Sequence, residues 1–192
     1  IRVGGRGITR KDPGYFISRV VSSYFGWGFN SRLNKVIRVE KGLTYSVWGS
    51  FMAQRFAGSF QVGTFTRTET TAQTVQAVLE EVRNLRDVAA SDEEVETNRS
   101  FITGNLIIDR QTPQDIAEDL WLVESQGLPK DYLKRLLAGV AGTTKQDCEK
   151  FARKTVKPEE LVIVVVGDAG KLKNELEKIA PVTVSNNVKM DD

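Results

Sequence analysis

Apolar residues recur along this chain with two periods, and the change between them marks out its elements. Over 14–25 they return every three or four positions, which places Phe16, Val20 and Tyr24 on one side of a helix. Asp12-Pro13 supplies a cap and a first-turn proline ahead of it. Gly26-Trp27-Gly28 ends it, and a second helix is expected over 31–40, closed by Gly42. The period then shortens to two. Tyr45, Val47 and Phe51 share one face of a strand over 45–53, and a second strand runs over 58–67, so the short connection 54–57 predicts a hairpin. Residues 1–5 read as part of a further strand.

From residue 70 the pattern is helical again. Thr70 with Gln73, Ser91 with Glu94, and Thr143 with Gln146 have the spacing of capping boxes, and Thr112-Pro113 and Leu128-Pro129 open two more helices. Their apolar faces carry Val75, Val78, Leu79 and Val82, then Ile116, Leu120 and Val123, then Leu133, Leu136 and Leu137. The run 161–166 is apolar on both faces and predicts a central strand covered on both sides. Gly167-Asp168 ends it, and a last helix is expected over 170–178. Strands flanking a helical middle predict one α+β domain over 1–184, with helices packed on a mainly antiparallel sheet. The polar tail 185–192 is expected to fray.

Composition narrows the chemistry. The 192 residues include one Cys and no His, with a formal net charge of +2. Without His there is no Ser-His-Asp triad, no Cys-His dyad and no imidazole ligand for zinc, and Cys148 alone forms neither an intrachain disulfide nor a CxxC site. Cys148 shares a helical face with Phe151 and Ala152, which predicts a buried, inert thiol. Charges of both signs are interspersed and no basic stripe carries interleaved aromatics, so no nucleic-acid partner is indicated. No apolar run approaches the ~20 residues that span a bilayer. The chain begins at Ile1 rather than Met, which suggests a processed chain or a fragment and leaves a removed leader open. The compartment is open too, cytoplasmic or periplasmic in a bacterium. The acids Asp92, Glu93, Glu94 and Glu96 fall in a first helical turn, where the dipole favours them, and read as a solvated helix start rather than a metal site. Glu118 and Asp119 read as an exposed face. Gly26-Trp27-Gly28 follows a helix, not a strand, and lacks the rest of a phosphate loop.

The informative stretch is 28–47. Arg38 ends a helix, Tyr45 begins a strand, and a glycine turn separates them. A guanidinium fork and a phenol brought to one sheet edge could hold peptide carbonyls or a terminal carboxylate. On side-chain chemistry alone, the plainer reading is favoured: a capped helix end and a core tyrosine.

The same stretch resembles the C-terminal half of pitrilysin-type zinc peptidases, the insulinase and mitochondrial processing peptidase family. The family pattern reads here as Ser31-Arg32-Leu33, Arg38 and Gly42-Leu43-Thr44-Tyr45-Ser46. The match extends to Thr9-Arg10-Lys11-Asp12-Pro13, the glycine-containing strand 58–66, and Lys157-Pro158-Glu159-Glu160 before the apolar run and Gly167-Asp168. The resemblance implies a LuxS/MPP-like metallohydrolase fold with its first strand truncated or contributed from before Ile1. It also implies a two-half enzyme. A zinc-bearing N-terminal half or partner subunit carries an inverted His-x-x-Glu-His motif and the chemistry, with the motif's Glu as general base. The present half contributes Arg38 and Tyr45 to bind the peptide substrate. No catalytic residue, metal ligand or cofactor is expected in this chain, which alone should be inactive. The long glycine-rich loop of the processing peptidase's non-catalytic subunit is reduced to Gly26-Trp27-Gly28, which argues against presequence recognition by that loop. A structural subunit like the core proteins of a respiratory complex, or a stand-alone peptide-binding module, would share these features.

Overall fold

The computed structural model describes residues 1–108 and 110–185, so most of the expected tail lies outside the described residues. The sheet has four antiparallel strands: β1 (Arg2–Arg6), β2 (Val47–Ala53), β3 (Gly58–Thr64) and β4 (Val162–Val164). Their order is β2-β3-β1-β4. The hairpin is as expected: Val47 pairs with Thr64, Ala53 with Gly58, and the Gln54 N–H closes the turn on the Ala57 carbonyl at 3.1 Å. β1 pairs with β3 on one side and β4 on the other.

The α-helices are α1 (Tyr15–Gly26), α2 (Thr71–Asp87), α3 (Asp92–Ile108), α4 (Pro113–Gln126), α5 (Tyr132–Ala141), α6 (Lys145–Thr155) and α7 (Ala169–Glu177). Helix α1 packs on β2, and α3, α5 and α6 pack on α1. Phe25, Phe51, Phe60 and Phe151 join the two layers, with centroids of Phe51 and Phe60 at 4.8 Å and of Phe51 and Phe151 at 5.0 Å. Val20, Val78 and Val82 are fully buried. Cys148 is also buried beside Phe151 and Ala152, and burial pushes its thiol up to about 12, so it stays protonated and unreactive.

Several expectations need correction. The apolar run near 161–166 forms a short edge strand, not a central one. Ile163 packs against the core, whereas Val162, Val164 and Val166 remain exposed. Two-faced apolarity reports the absence of polar residues, and β1 covers only one edge. The box at Thr70 does not form, because its hydroxyl meets Thr66 Oγ1 at 2.7 Å and the Arg67 carbonyl instead. The last box sits one residue later than expected, Thr144 with Asp147. Asp119 is not on an open face but is held by Arg110 through two nitrogens. Ile116 and Leu120 were expected to pack inward but are exposed together with Trp121, and only Val123 of α4 is buried.

Helix α1 reaches β2 through two glycines. A Cβ on Gly26 would lie 2.2 Å from the Gly49 nitrogen and 2.4 Å from its oxygen. Gly26→Ala should therefore push α1 off the sheet and destabilise the fold by about 1–3 kcal/mol. The check is a lowered urea midpoint at unchanged m-value; an unchanged midpoint would show that the helix end yields freely.

Candidate functional site

The segment after α1 folds into a π-helical stretch, Asn34–Glu40, rather than the α-helix expected over 31–40. Its end is closed by the Lys41 N–H on the Val36 carbonyl at 3.0 Å, and the chain turns at Gly42 with φ +60°. Open space surrounds a Cβ at Gly42, so only the backbone angle demands glycine there. Extended π turns are rare and frequently occur at functional sites, because the altered angular step redirects the side chains that follow.

Arg38 is the side chain so directed. Its guanidinium carbon lies 4.8 Å from the Tyr45 ring centroid and 5.0 Å from that of Phe29. Tyr45 is 75% exposed and Phe29 61% exposed. Tyr45 is thus not a core residue. β2 begins only at Val47, and Tyr45 stands on the loop before it. Neither the guanidinium nor the Tyr45 hydroxyl makes a hydrogen bond or ion pair with another described residue. The two residues singled out in the sequence are therefore in contact. The arrangement is a half-buried cation framed by two exposed aromatic rings, its donors without a partner among the described residues. Phe29 was missed by sequence reasoning. The available signal was an aromatic on each side of Gly28, whose φ of +80° turns the loop.

The frame around this trio is polar and buried. Asn34 donates its side-chain amide to the Gly28 carbonyl at 3.1 Å and the Val47 carbonyl at 3.0 Å, with Ser31 Oγ at 3.2 Å. It joins the loop bearing Phe29, the π-helix bearing Arg38 and the start of β2. The Tyr45 loop is pinned from β3. Thr66 Oγ1 donates to the Leu43 carbonyl at 2.6 Å, and Thr64 Oγ1 lies 3.0 Å from Thr44 Oγ1.

Arg32 has a different fate. Both its Nε and NH2 bond the Glu94 carboxylate, at 2.8 and 2.6 Å, and its guanidinium lies over Tyr24. Glu94 is therefore unavailable to close its capping box, although Ser91 Oγ still accepts from the Glu94 N–H at 3.0 Å. Asp92 pairs with Lys145 at 3.5 Å and Glu96 with Arg99, so these acids serve the surface and the helix start. Among the described residues no group of His, Cys, Asp or Glu is placed to hold a metal ion.

Comparison with known proteins gives these shapes a context. Residues 3–101 match the family model described as the peptidase M16 inactive domain. A curated relative, the non-peptidase homolog YmxG of Helicobacter pylori, is 24% identical over 158 residues, covering 80% of this chain and 36% of its own length. The solved peptidase M16 inactive domain from Pseudomonas fluorescens superposes with a TM-score of 0.77 at 22% identity, covering 83% of this chain and 38% of that one. A chain of the Candida albicans complex III dimer, solved with Inz-5 bound, gives a TM-score of 0.69 at 14% identity over 91% of this chain and 45% of that one. At these identities the structural likeness establishes the fold alone. The chain spans little more than a third of the curated relative's length.

Asn34→Ala would leave the Gly28 and Val47 carbonyls without their shared donor. The expected cost is about 1–3 kcal/mol, with the near-ultraviolet signal of Phe29 and Tyr45 changed. Unchanged stability and spectrum would show that the loop is held by other contacts.

Proposed function

The chain belongs to the peptidase M16 inactive-domain family, and on that footing we propose that it is the substrate-binding, non-catalytic half of a two-half zinc metalloendopeptidase. It holds an extended peptide through Arg38 and Tyr45, while a zinc-bearing N-terminal half or partner subunit cleaves. One observation carries this reading: the Arg38 guanidinium sits between Tyr45 and Phe29 with no hydrogen-bond partner among the described residues. An extended peptide presents carbonyls whose lone pairs can accept hydrogen bonds from a guanidinium fork at fixed geometry. The flanking rings restrict the arginine's rotamers, so less entropy is lost when it binds. The zinc ion of the other half would supply the activated water; the role of Arg38 and Tyr45 is to bind and orient.

The exposed apolar residues of α4, and of β4 on the sheet edge, suit a docking face for that other half. They suit a structural or assembly role equally. That second reading is favoured by the non-peptidase homolog in H. pylori and by the fold shared with a complex III chain. A stand-alone peptide-binding module would use the same pair without any zinc half. The readings part on whether Arg38 binds peptide, and on zinc in the complete protein.

In the full-length protein, Arg38→Ala should weaken binding of a fluorescein-labelled extended peptide by a charge-assisted contact, about 1.5–3 kcal/mol, roughly tenfold to a hundredfold or somewhat more. Tyr45→Phe keeps the ring and should lose less. Metal content should be the same in both variants and the parent. Equal peptide affinity in parent and Arg38→Ala, read by anisotropy, would favour the assembly role.

A further inference from the structure

Two further cations, Arg10 and Arg19, lie where α1 runs beside the later half of β2. A pocket of about 340 Å³ opens there, lined by Arg10, Arg19, Tyr15, Ser22, Trp27 and residues 50–54. It contains two guanidinium groups and no carboxylate. Neither arginine forms an ion pair with any described residue. The Nε atoms of both are buried and lack a hydrogen-bond partner among the described residues.

The two side chains are held in place by other means. Arg10 lies over the Tyr15 ring at 5.0 Å and donates through NH1 to the hydroxyls of Tyr15 at 2.9 Å and Tyr132 at 3.3 Å. Arg19 lies over the Trp27 ring at 4.8 Å. Asp12, the acid nearest in sequence, is engaged by the Gly14 N–H at 2.7 Å. Ser22 Oγ accepts from the Phe51 N–H at 3.0 Å, which leaves its own hydroxyl proton free to donate. Fixing two like charges beside one cavity is unfavourable unless a counter-charge enters, and burying an Nε–H without an acceptor adds to that cost. The first cost is removed by a ligand that carries negative charge, and its acceptor oxygens suit the N–H groups that the two guanidinium forks bring to the pocket.

We propose that this pocket is an oxyanion-binding site, taking a carboxylate or phosphate group between Arg10 and Arg19 with the Ser22 hydroxyl as a further donor. The forked guanidinium matches the planar carboxylate and the phosphate face alike. The site does not depend on the Arg38–Tyr45 reading. The two are distinguished by mutating each separately.

The test is titration of the full-length protein with inorganic phosphate and, separately, with succinate, at constant ionic strength with chloride as the balancing ion. Calorimetry and the arginine Nε–H resonances report binding. Saturable binding of either anion is expected, weakened at least tenfold by Arg19→Gln and unchanged by Arg38→Ala. Arg19→Gln is the primary variant because Arg10 also bonds Tyr15 and Tyr132 and so ties α1 to α5; circular dichroism verifies that Arg19→Gln stays folded. Tighter phosphate or tighter succinate binding identifies which oxyanion the pocket prefers. The proposal is overturned if neither anion saturates, if folded Arg19→Gln binds like the parent, or if Arg38→Ala abolishes binding.

Discussion

The side-chain amide of Asn34 touches each part of the chain on which the candidate site rests. It reaches the Gly28 carbonyl, the Val47 carbonyl and Ser31 Oγ from a buried position, and no water is needed to satisfy them. Phe29 follows the first of these groups, Arg38 lies on Asn34's own π-helix, and Tyr45 precedes the second group. The glycine contact between α1 and β2 sets how closely this frame sits on the sheet. A rigid, polar, buried frame under an exposed side-chain trio is the arrangement that lets a binding site keep its geometry without ligand.

Two arginines of one motif illustrate how context assigns roles. Arg32 is paired twice with Glu94 and lies against Tyr24, whose hydroxyl burial pushes well above its ordinary range. It ties the π-helical segment to α3. Arg38 lies six residues on with no acid partner among the described residues, and its guanidinium lies against the rings of Phe29 and Tyr45. The first arrangement is that of a structural tie. The second leaves charge and donors available, which is why the binding proposal rests on Arg38. Lack of His removes imidazole ligands and a His-bearing zinc motif from this chain.

Much of the fold was legible because apolar period and capping chemistry are local. The hairpin, α1, α3, α5 and α7 fall close to where those signals put them, and Gly42 adopts the positive φ its position implied. Failures arise where a residue has a distant competitor. Glu94 leaves its capping box for Arg32, Thr70 turns to Thr66, and Asp119 turns to Arg110. A π-helix has the same residue types as an α-helix, so nothing in 31–40 separated them. The β4 run showed apolarity on two faces, but which neighbours cover a strand is a property of topology. At the site, the residues Arg38 and Tyr45 were visible through the family pattern. Phe29 and Asn34 were not, because their importance lies in whom they touch.

The most direct measurement is photocrosslinking from the site itself. Replacing Tyr45 with a photoreactive phenylalanine analogue in the full-length protein places the label beside the Arg38 guanidinium. With a bound extended peptide, illumination should attach that peptide at position 45, and excess unlabelled peptide should suppress the product. A peptide that binds the protein saturably yet never crosslinks from position 45 would contradict the account.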